Sequence, residues 1–110
     1  MTVAHQSLKQ AFNDRRDLFI AFGDRNRQDI IMLLGEGRRY TVKELSEQLG
    51  LSRPATSHHL KILRQAGLLG EERDGRKTYY YPTMRQAIES VKQLLYQFDE
   101  LEINEGKREI

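Results

Sequence analysis

Polar and basic side chains recur at helical spacing within residues 52–64, and their chemistry suits contact with a nucleic acid. Arg53, Ser57 and Lys61 are four residues apart, so a helix carries them on one side. Arginine can pair with guanine O6 and N7 or with a phosphate, lysine favours phosphates, and the hydroxyl of Ser57 or the imidazole of His58 can bond a base edge. We expect this face to contact DNA through these residues: Arg53, Pro54, Ser57, His58, Lys61 and Arg64.

Local signals predict the helix that must carry this face. Gly50 can end a preceding helix because it accepts a left-handed conformation, and Ser52 can cap the new helix. Pro54 falls in the first turn, where its missing amide costs little. The opposite, core-facing stripe is predicted to contain Thr56, Leu60, Leu63 and Gly67.

A supporting helix is predicted directly before this one. Thr41 and Glu44 form a capping box, in which the hydroxyl and the carboxylate each satisfy an exposed backbone amide. The supporting helix ends near Leu49, so residues 41–67 predict a helix-turn-helix, with the second helix placed to enter a major groove. Residues 38–40, just upstream, are interpreted as a solvated turn, with a short extended segment as the alternative.

A β-hairpin is predicted after the helix-turn-helix, over residues 68–82. Asp74-Gly75 is a two-residue turn signal because both positions must accept positive φ. The flanking strands are predicted over residues 68–73 and 76–81. The tip is expected to approach phosphates or a minor groove through Arg73, Arg76 and Lys77.

Apolar stripes mark both ends of the chain, where helices are predicted over residues 4–22 and 83–105. Pro82 is expected to stop the hairpin and Thr83 to cap the last helix. The last stripe runs for about five turns, more than a small core can bury, so we expect the terminal helices to form a homodimer. The alternative is that the last helix folds back on its own subunit. The expected interface residues are Leu8, Phe12, Phe19, Ile88, Val91, Leu95 and Phe98.

Charge is concentrated on the predicted DNA-facing unit. The 110 residues fit one domain, and their formal net charge of +2 does not by itself indicate a nucleic-acid partner. Residues 53–77, however, contain six basic and three acidic side chains, whereas residues 84–110 contain four basic and six acidic ones. The positive excess therefore coincides with the helix and hairpin that should meet DNA.

Several classes of function are disfavoured by the composition. The chain has no cysteine, which excludes disulfides, thiolate metal sites and thiol redox sensing within it. No apolar run approaches the length of a membrane span, and the first residues lack a signal-peptide pattern, so we expect a cytoplasmic protein without a membrane partner. No nucleophile has a suitable partner, so we expect neither an enzyme nor a cofactor.

One dense motif resembles a known family. Residues 49–68 read Leu-Gly-Leu-Ser-x-Pro-Ala-x-Ser-His-His-Leu-Lys-x-Leu-Arg-x-Ala-Gly-Leu, and Asp-Gly-Arg and a tyrosine cluster follow. Together they resemble the ArsR/SmtB family of bacterial winged-helix repressors over residues 24–83. The resemblance and the patterns above imply a mainly α fold with a small β-hairpin. We expect a winged helix-turn-helix of about five helices and a two-stranded wing, in one domain of residues 1–110. The resemblance also implies a homodimeric repressor that binds a palindromic double-stranded operator and is released by a signal.

The sequence departs from the metal-sensing members that it resembles. Those members place cysteines on the helix that corresponds to residues 42–49, or aspartate and histidine pairs on the last helix. This chain has no cysteine, and residues 83–105 contain no histidine. The metal response is therefore not carried over, no metal ligand is predicted, and any small-molecule effector stays unidentified. Two alternatives stay open: a metal-responsive repressor with an atypical site, and a winged-helix protein–protein adaptor.

Overall fold

Six helices and a two-stranded hairpin make up residues 2–101, the part of the chain that this computed structural model describes. The elements are α1 (Val3–Asp14), α2 (Arg16–Phe22), α3 (Arg25–Leu34), α4 (Val42–Leu49), α5 (Arg53–Gln65), β1 (Leu69–Asp74), β2 (Lys77–Pro82) and α6 (Arg85–Glu100). The predicted winged helix-turn-helix is confirmed, with one helix more than the expected number. The predicted end of the last helix, residues 102–105, lies outside the described residues.

The extra helix arises at Arg15, where the single helix predicted over residues 4–22 is divided into α1 and α2. That prediction was wrong because Arg15 leaves the helical conformation, with φ −108° and ψ 13°, and turns its guanidinium inward. Its Nε donates to the carbonyl oxygen of Ser90 on α6 over 2.9 Å. The break lets α2 bury Leu18 and Ala21 in the main core while α1 packs against α6.

The helix-turn-helix has the predicted caps. Thr41 and Glu44 form a reciprocal capping box on α4, and Gly50 ends that helix with φ 66°. The Ser52 hydroxyl accepts from the backbone N–H of Ala55 over 3.2 Å at the start of α5. Gly67 is a correction, because it is exposed with φ 76° and lies after the end of α5 rather than on its buried stripe.

The hairpin is shifted by one residue from its predicted position. Asp74 pairs with Lys77, so the turn residues are Gly75 and Arg76 rather than Asp74 and Gly75. Gly75 adopts the left-handed conformation that the turn requires, with φ 63°. The strands therefore run over residues 69–74 and 77–82, which include Pro82 as the final strand residue.

Thr83 does not cap the last helix as predicted. Its hydroxyl donates instead to the carbonyl oxygen of Gly67 over 3.0 Å, and Met84 occupies the N-cap position of α6 without a side-chain hydrogen bond. The contact fastens the end of the hairpin to the end of α5. Thr83 is therefore used to join two elements that are distant in sequence.

Tyr40 decides between the two interpretations of residues 38–40, because it favours the short extended segment over the solvated turn. The ring is buried, and the backbone N–H of Tyr80 donates to the Tyr40 carbonyl oxygen over 2.9 Å. This isolated bridge adds a third extended segment beside the hairpin. The reason is packing, since an aromatic ring on this loop joins the core beneath β2 rather than facing water.

Two separate apolar clusters hold residues 2–101 together. The main one lies among α2 to α5, the hairpin and the first turn of α6, and the smaller one consists of Leu8, Ala11 and Leu94, with Phe98 and Leu101 against it. The molecule measures 62 × 24 × 22 Å, with a radius of gyration of 17.7 Å. A compact domain of about 100 residues would have a radius of gyration near 13 Å. The α1–α6 pair therefore extends the molecule well beyond its main core.

The cap of α3 gives a prediction about stability and pH. The backbone N–H of Arg27 donates to Asp24 Oδ1 over 3.1 Å and lowers the pKa of that carboxyl from its ordinary 3.8. Because the folded pKa is below the unfolded one, the stabilisation is fully present above about pH 4 and is lost as the pH falls through the folded pKa. Asp24→Ala should lower the free energy of unfolding by about 1 kcal/mol near neutral pH.

Urea unfolding at a series of pH values checks this expectation. The difference between the two proteins should shrink as the pH falls below the ordinary carboxyl pKa of 3.8. Asp29→Ala, which removes an exposed carboxylate from α3, is the matched control and should change stability by less than about 0.5 kcal/mol. A difference for Asp24→Ala that stays constant down to low pH would contradict the cap assignment.

Candidate nucleic-acid interface

The side chains predicted to contact DNA are all on the surface. Six of them belong to α5 and its first turn, and three belong to the hairpin. The exposed residues are Arg53, Pro54, Ser57, His58, Lys61, Arg64, Arg73, Arg76 and Lys77.

The rear of α5 is firmly packed, which fixes the direction of its front. Leu60 and Leu63 are fully buried, and so is Thr56, whose hydroxyl donates to the Ser52 carbonyl oxygen over 2.8 Å. A buried hydroxyl must find an acceptor, and bonding back to the preceding turn satisfies it. The exposed face of α5 is therefore held on a rigid base, as groove reading requires.

Most of the basic side chains at this surface keep their charge available. Arg64 is the exception, because its Nη1 lies 2.9 Å from Glu71 Oε2 and links α5 to β1. No carboxylate within residues 2–101 lies within ion-pair distance of the other five: Arg53, Lys61, Arg73, Arg76 and Lys77. These five cations can meet phosphates without first breaking an ion pair in that part of the chain.

Arg39 contacts the hairpin side of this surface. The sequence did not predict this contact. Its Nη1 lies 3.3 Å from Glu72 Oε2 and its Nη2 lies 3.7 Å from Asp74 Oδ2. The guanidinium carbon lies 4.4 Å from the centre of the Tyr79 ring, a cation–π distance. The neighbouring Arg38 points elsewhere, toward Glu44.

A buried arginine behind α5 was not predicted from the sequence either. Arg27 is only 9% exposed, and its Nε and Nη2 donate to the carbonyl oxygens of Ala21 and Ile20, each over 3.0 Å. Its Nη1 lies 3.1 Å from Nδ1 of His59. Because a guanidinium only donates, the His59 nitrogen must accept, which places the imidazole proton on Nε2. His59 is partly buried.

Replacing Arg27 tests how much this contact supports α5. We expect Arg27→Met to lower the free energy of unfolding by about 3 kcal/mol, because it leaves the Ala21 carbonyl oxygen and the His59 ring nitrogen without their donor. Urea unfolding followed by circular dichroism measures the effect. Arg25→Met, at an exposed position on α3, should cost less than about 0.5 kcal/mol. Equal effects of the two changes would contradict the assigned role.

The residues predicted for a dimer interface differ in how far they are exposed in the single subunit. Leu8 is buried inside its own subunit between α1 and α6, so its main contact is intramolecular. Val91 and Phe98 are half-buried. The others are exposed and form, with two aromatic or aliphatic neighbours that were not predicted, the apolar patch: Phe12, Phe19, Ile20, Ile88, Leu95 and Tyr96.

Neither a metal-ligand cluster nor a membrane-spanning helix occurs in the described stretch from residue 2 to residue 101. No three histidine, cysteine, aspartate or glutamate side chains in that stretch are close enough to share a metal ion. None of its helices is long and apolar enough to cross a membrane.

Comparison with known sequences identifies relatives that are transcriptional regulators. A family model described as "Bacterial regulatory protein, arsR family" matches residues 24–70. An uncharacterised HTH-type transcriptional regulator of Methanocaldococcus jannaschii is 32% identical over 92 residues, which cover 84% of this chain and 99% of that protein. The transcriptional repressor SdpR of Bacillus subtilis is 38% identical over 64 residues, covering 58% of this chain and 70% of the repressor.

Solved structures share the whole arrangement. The ArsR-like transcriptional regulator from Rhodococcus sp. RHA1 matches with a TM-score of 0.76 and 25% identity, covering 92% of this chain and 86% of that one. A homodimeric winged helix-turn-helix DNA-binding domain from Mycobacterium bovis matches in fold, with a TM-score of 0.64 and 19% identity over 93% of this chain and 94% of that one. With its helix-turn-helix, wing and exposed basic α5 surface, this chain belongs to the ArsR family of DNA-binding transcriptional regulators.

Proposed function

We propose that the chain is a dimeric repressor that places α5 of each subunit in the major groove of one half of a palindromic operator. The observation that carries the proposal is the exposed basic face of α5, packed on a buried rear and flanked by wing cations without carboxylate partners among residues 2–101. Helices of this kind read base edges with their first turns, where Arg53 and Ser57 lie. The wing residues Arg73, Arg76 and Lys77 would contact the adjacent phosphates.

The domain organisation that fits this role is one DNA-binding domain over residues 1–110. In it, residues 41–67 read DNA as the helix-turn-helix and residues 68–82 form the wing. The helices α1, α2 and α6 contribute the dimer interface. A cytoplasmic location, where operator DNA is accessible, accompanies this role.

Dimerisation is proposed from the apolar patch on α1, α2 and α6. Leu95 and Tyr96 are 59% and 63% exposed in the single subunit, although α6 is already packed against α1. Burying one large apolar side chain is worth about 1.5–3 kcal/mol, so a two-fold contact over this patch is strongly favoured. The homodimeric state named for the Mycobacterium bovis domain supports this assembly. Recognition helices about 34 Å apart would then meet successive major grooves.

Repression is the proposed direction of regulation, and it is supported by relatives such as the Bacillus subtilis repressor. A repressor of this kind blocks a promoter by occupying it. A signal can release it only by binding the DNA-incompetent dimer more tightly than the competent one. The effector is left unidentified, and no observation favours either the metal-responsive or the adaptor alternative.

The proposal is tested by titrating the purified chain into fluorescent duplex DNA from the region upstream of its own gene. The logarithm of the binding constant should fall linearly with the logarithm of the salt concentration, with a slope of about −0.9 for each phosphate contacted. A duplex of random sequence is the control and should bind more weakly at every salt concentration. Absence of binding to both duplexes at low salt would refute the proposed function.

A further inference from the structure

We propose that Arg39 is a positioning residue for DNA binding, which masks two wing carboxylates and sets the angle of the wing beside α5. The inference rests on the proposed DNA-binding function and deepens it. Arg39 lies in the loop between α3 and α4, outside both the recognition helix and the hairpin. Its contacts therefore attach the wing to the body of the protein.

Three acidic residues on β1 would oppose DNA binding by the wing unless other side chains neutralised them. Glu71, Glu72 and Asp74 lie on the same hairpin as the three cations expected to meet phosphates, so β1 and β2 with their turn have no net charge. Carboxylates close to DNA would repel its phosphates and cancel the attraction of the wing. The wing can attract DNA only if these acids are neutralised from elsewhere.

Arginines from the body neutralise all three acids. Arg64 on α5 holds Glu71 at 2.9 Å, and Arg39 holds Glu72 at 3.3 Å and Asp74 at 3.7 Å. With both arginines in place, the wing side of the surface has a net positive charge. The acids then act as anchors that fasten the hairpin to the body on two sides.

The geometry of Arg39 suits it to fix the hairpin as well as to neutralise it. Glu72 and Asp74 are two residues apart on β1, so their side chains leave the same face of the strand. Tyr79, directly opposite Glu72 in the register, presents its ring to the same guanidinium. The Arg39 side chain thereby contacts both strands near the tip of the hairpin. This contact matters because an isolated two-stranded hairpin is only marginally stable.

These contacts are exposed, so their effect should appear in DNA affinity more than in folding stability. The side chains of Arg39, Glu72 and Asp74 are 43%, 57% and 67% exposed, and exposed pairs contribute little to stability. Near the phosphates, by contrast, two unmasked carboxylates oppose binding directly. We therefore expect Arg39→Ala to fold normally and to weaken DNA binding about fivefold.

A double-mutant cycle separates positioning from direct contact with DNA. Affinity is measured for the wild type, Arg39→Ala, the acid-free variant Glu72→Gln/Asp74→Asn, and the triple variant. The probe is a duplex that the wild type enriches from a random library. If Arg39 acts through the two acids, its removal should cost about fivefold with the acids present and less than about twofold without them. An equal loss in both backgrounds would mean that Arg39 contacts DNA itself, and would overturn the inference.

A neighbouring arginine provides the matched control. Arg38 carries the same charge one residue earlier, but it contacts Glu44 and lies over the Tyr40 ring rather than the wing. Arg38→Ala should keep wild-type affinity within about twofold, and an equal loss for both arginines would also contradict the assigned role. If the wild type binds no DNA, the proposed function fails. If it binds and the cycle shows no coupling, only the role of Arg39 fails.

Discussion

Arg53→Ala combined with Lys61→Ala should weaken operator binding by about two to three orders of magnitude. Both side chains are exposed on the face of α5, and Leu60 between them is buried. An arginine that pairs with guanine contributes about 1–3 kcal/mol of discrimination, and in each subunit of a dimer the variant would lack that pairing and one lysine–phosphate interaction. The packed rear of α5 is unchanged, so the variant should keep the wild-type circular dichroism spectrum and unfolding midpoint.

Fluorescence anisotropy at several salt concentrations measures this effect. The slope of log affinity against log salt should become shallower by about one for each phosphate that the variant no longer neutralises. The matched control removes the same charge from elsewhere, through Lys9→Ala with Arg25→Ala at exposed positions on α1 and α3. If the control weakens binding as much as the α5 variant does, net charge rather than the α5 face governs binding, and the assigned face is wrong.

Leu95→Asp should convert the dimer to monomers and reduce operator binding by more than about 100-fold. Leu95 is 59% exposed in the single subunit, so a carboxylate there faces water and should not disturb the fold of the monomer. In a two-fold interface the same change buries two carboxylates, one from each subunit, each at a cost of several kcal/mol. A monomer can occupy only one half-site, so the affinity gained by joining two half-sites disappears.

Analytical ultracentrifugation checks the assembly directly. The wild type should sediment at twice the 12.9 kDa mass of the chain, and Leu95→Asp at the monomer mass. Gln48→Asp adds the same charge to an exposed position of α4, which contributes no residue to the apolar patch, and should stay dimeric. A wild type that is monomeric at micromolar concentration, or a dimeric Leu95→Asp variant, would contradict the proposed interface.

The helix-turn-helix could be predicted because its signals are local. The Thr41–Glu44 capping box, the Ser52 cap and the left-handed Gly50 each depend on residues within four positions along the chain. Such contacts form whatever the rest of the fold does, so sequence spacing is enough to recognise them. The same holds for the buried rear of α5, because apolar spacing alone fixes which side faces the core.

The features that escaped prediction depend on contacts between distant residues. Arg15 bonds a carbonyl 75 residues away, and Arg27 bonds His59 across 32 positions. In sequence these arginines look like ordinary surface charges, because nothing nearby indicates that they turn inward. The contacts of Arg39 were not predicted for the same reason, since its partners are on β1 and β2 rather than in its own loop.

The one-residue shift of the hairpin has a similar cause. The Asp-Gly signal identifies a tight turn, but the register also depends on the contacts that the strands make with the rest of the fold. Tyr80, which is half-buried and bonded to the Tyr40 backbone, fixes that choice. With its turn at Gly75-Arg76 the hairpin places Tyr80 opposite Glu71, whereas a turn at Asp74-Gly75 would have placed it opposite Leu69.

Selection of binding sites from a random duplex library tests most directly whether a two-fold pair of α5 surfaces reads DNA. The enriched sequences should contain two inverted half-sites whose centres are one helical turn apart, about 10–10.5 base pairs. The Arg53→Ala/Lys61→Ala variant, carried through the same selection, should enrich no such motif. Enrichment of a single asymmetric site by the wild type, or of no motif at all, would contradict the account.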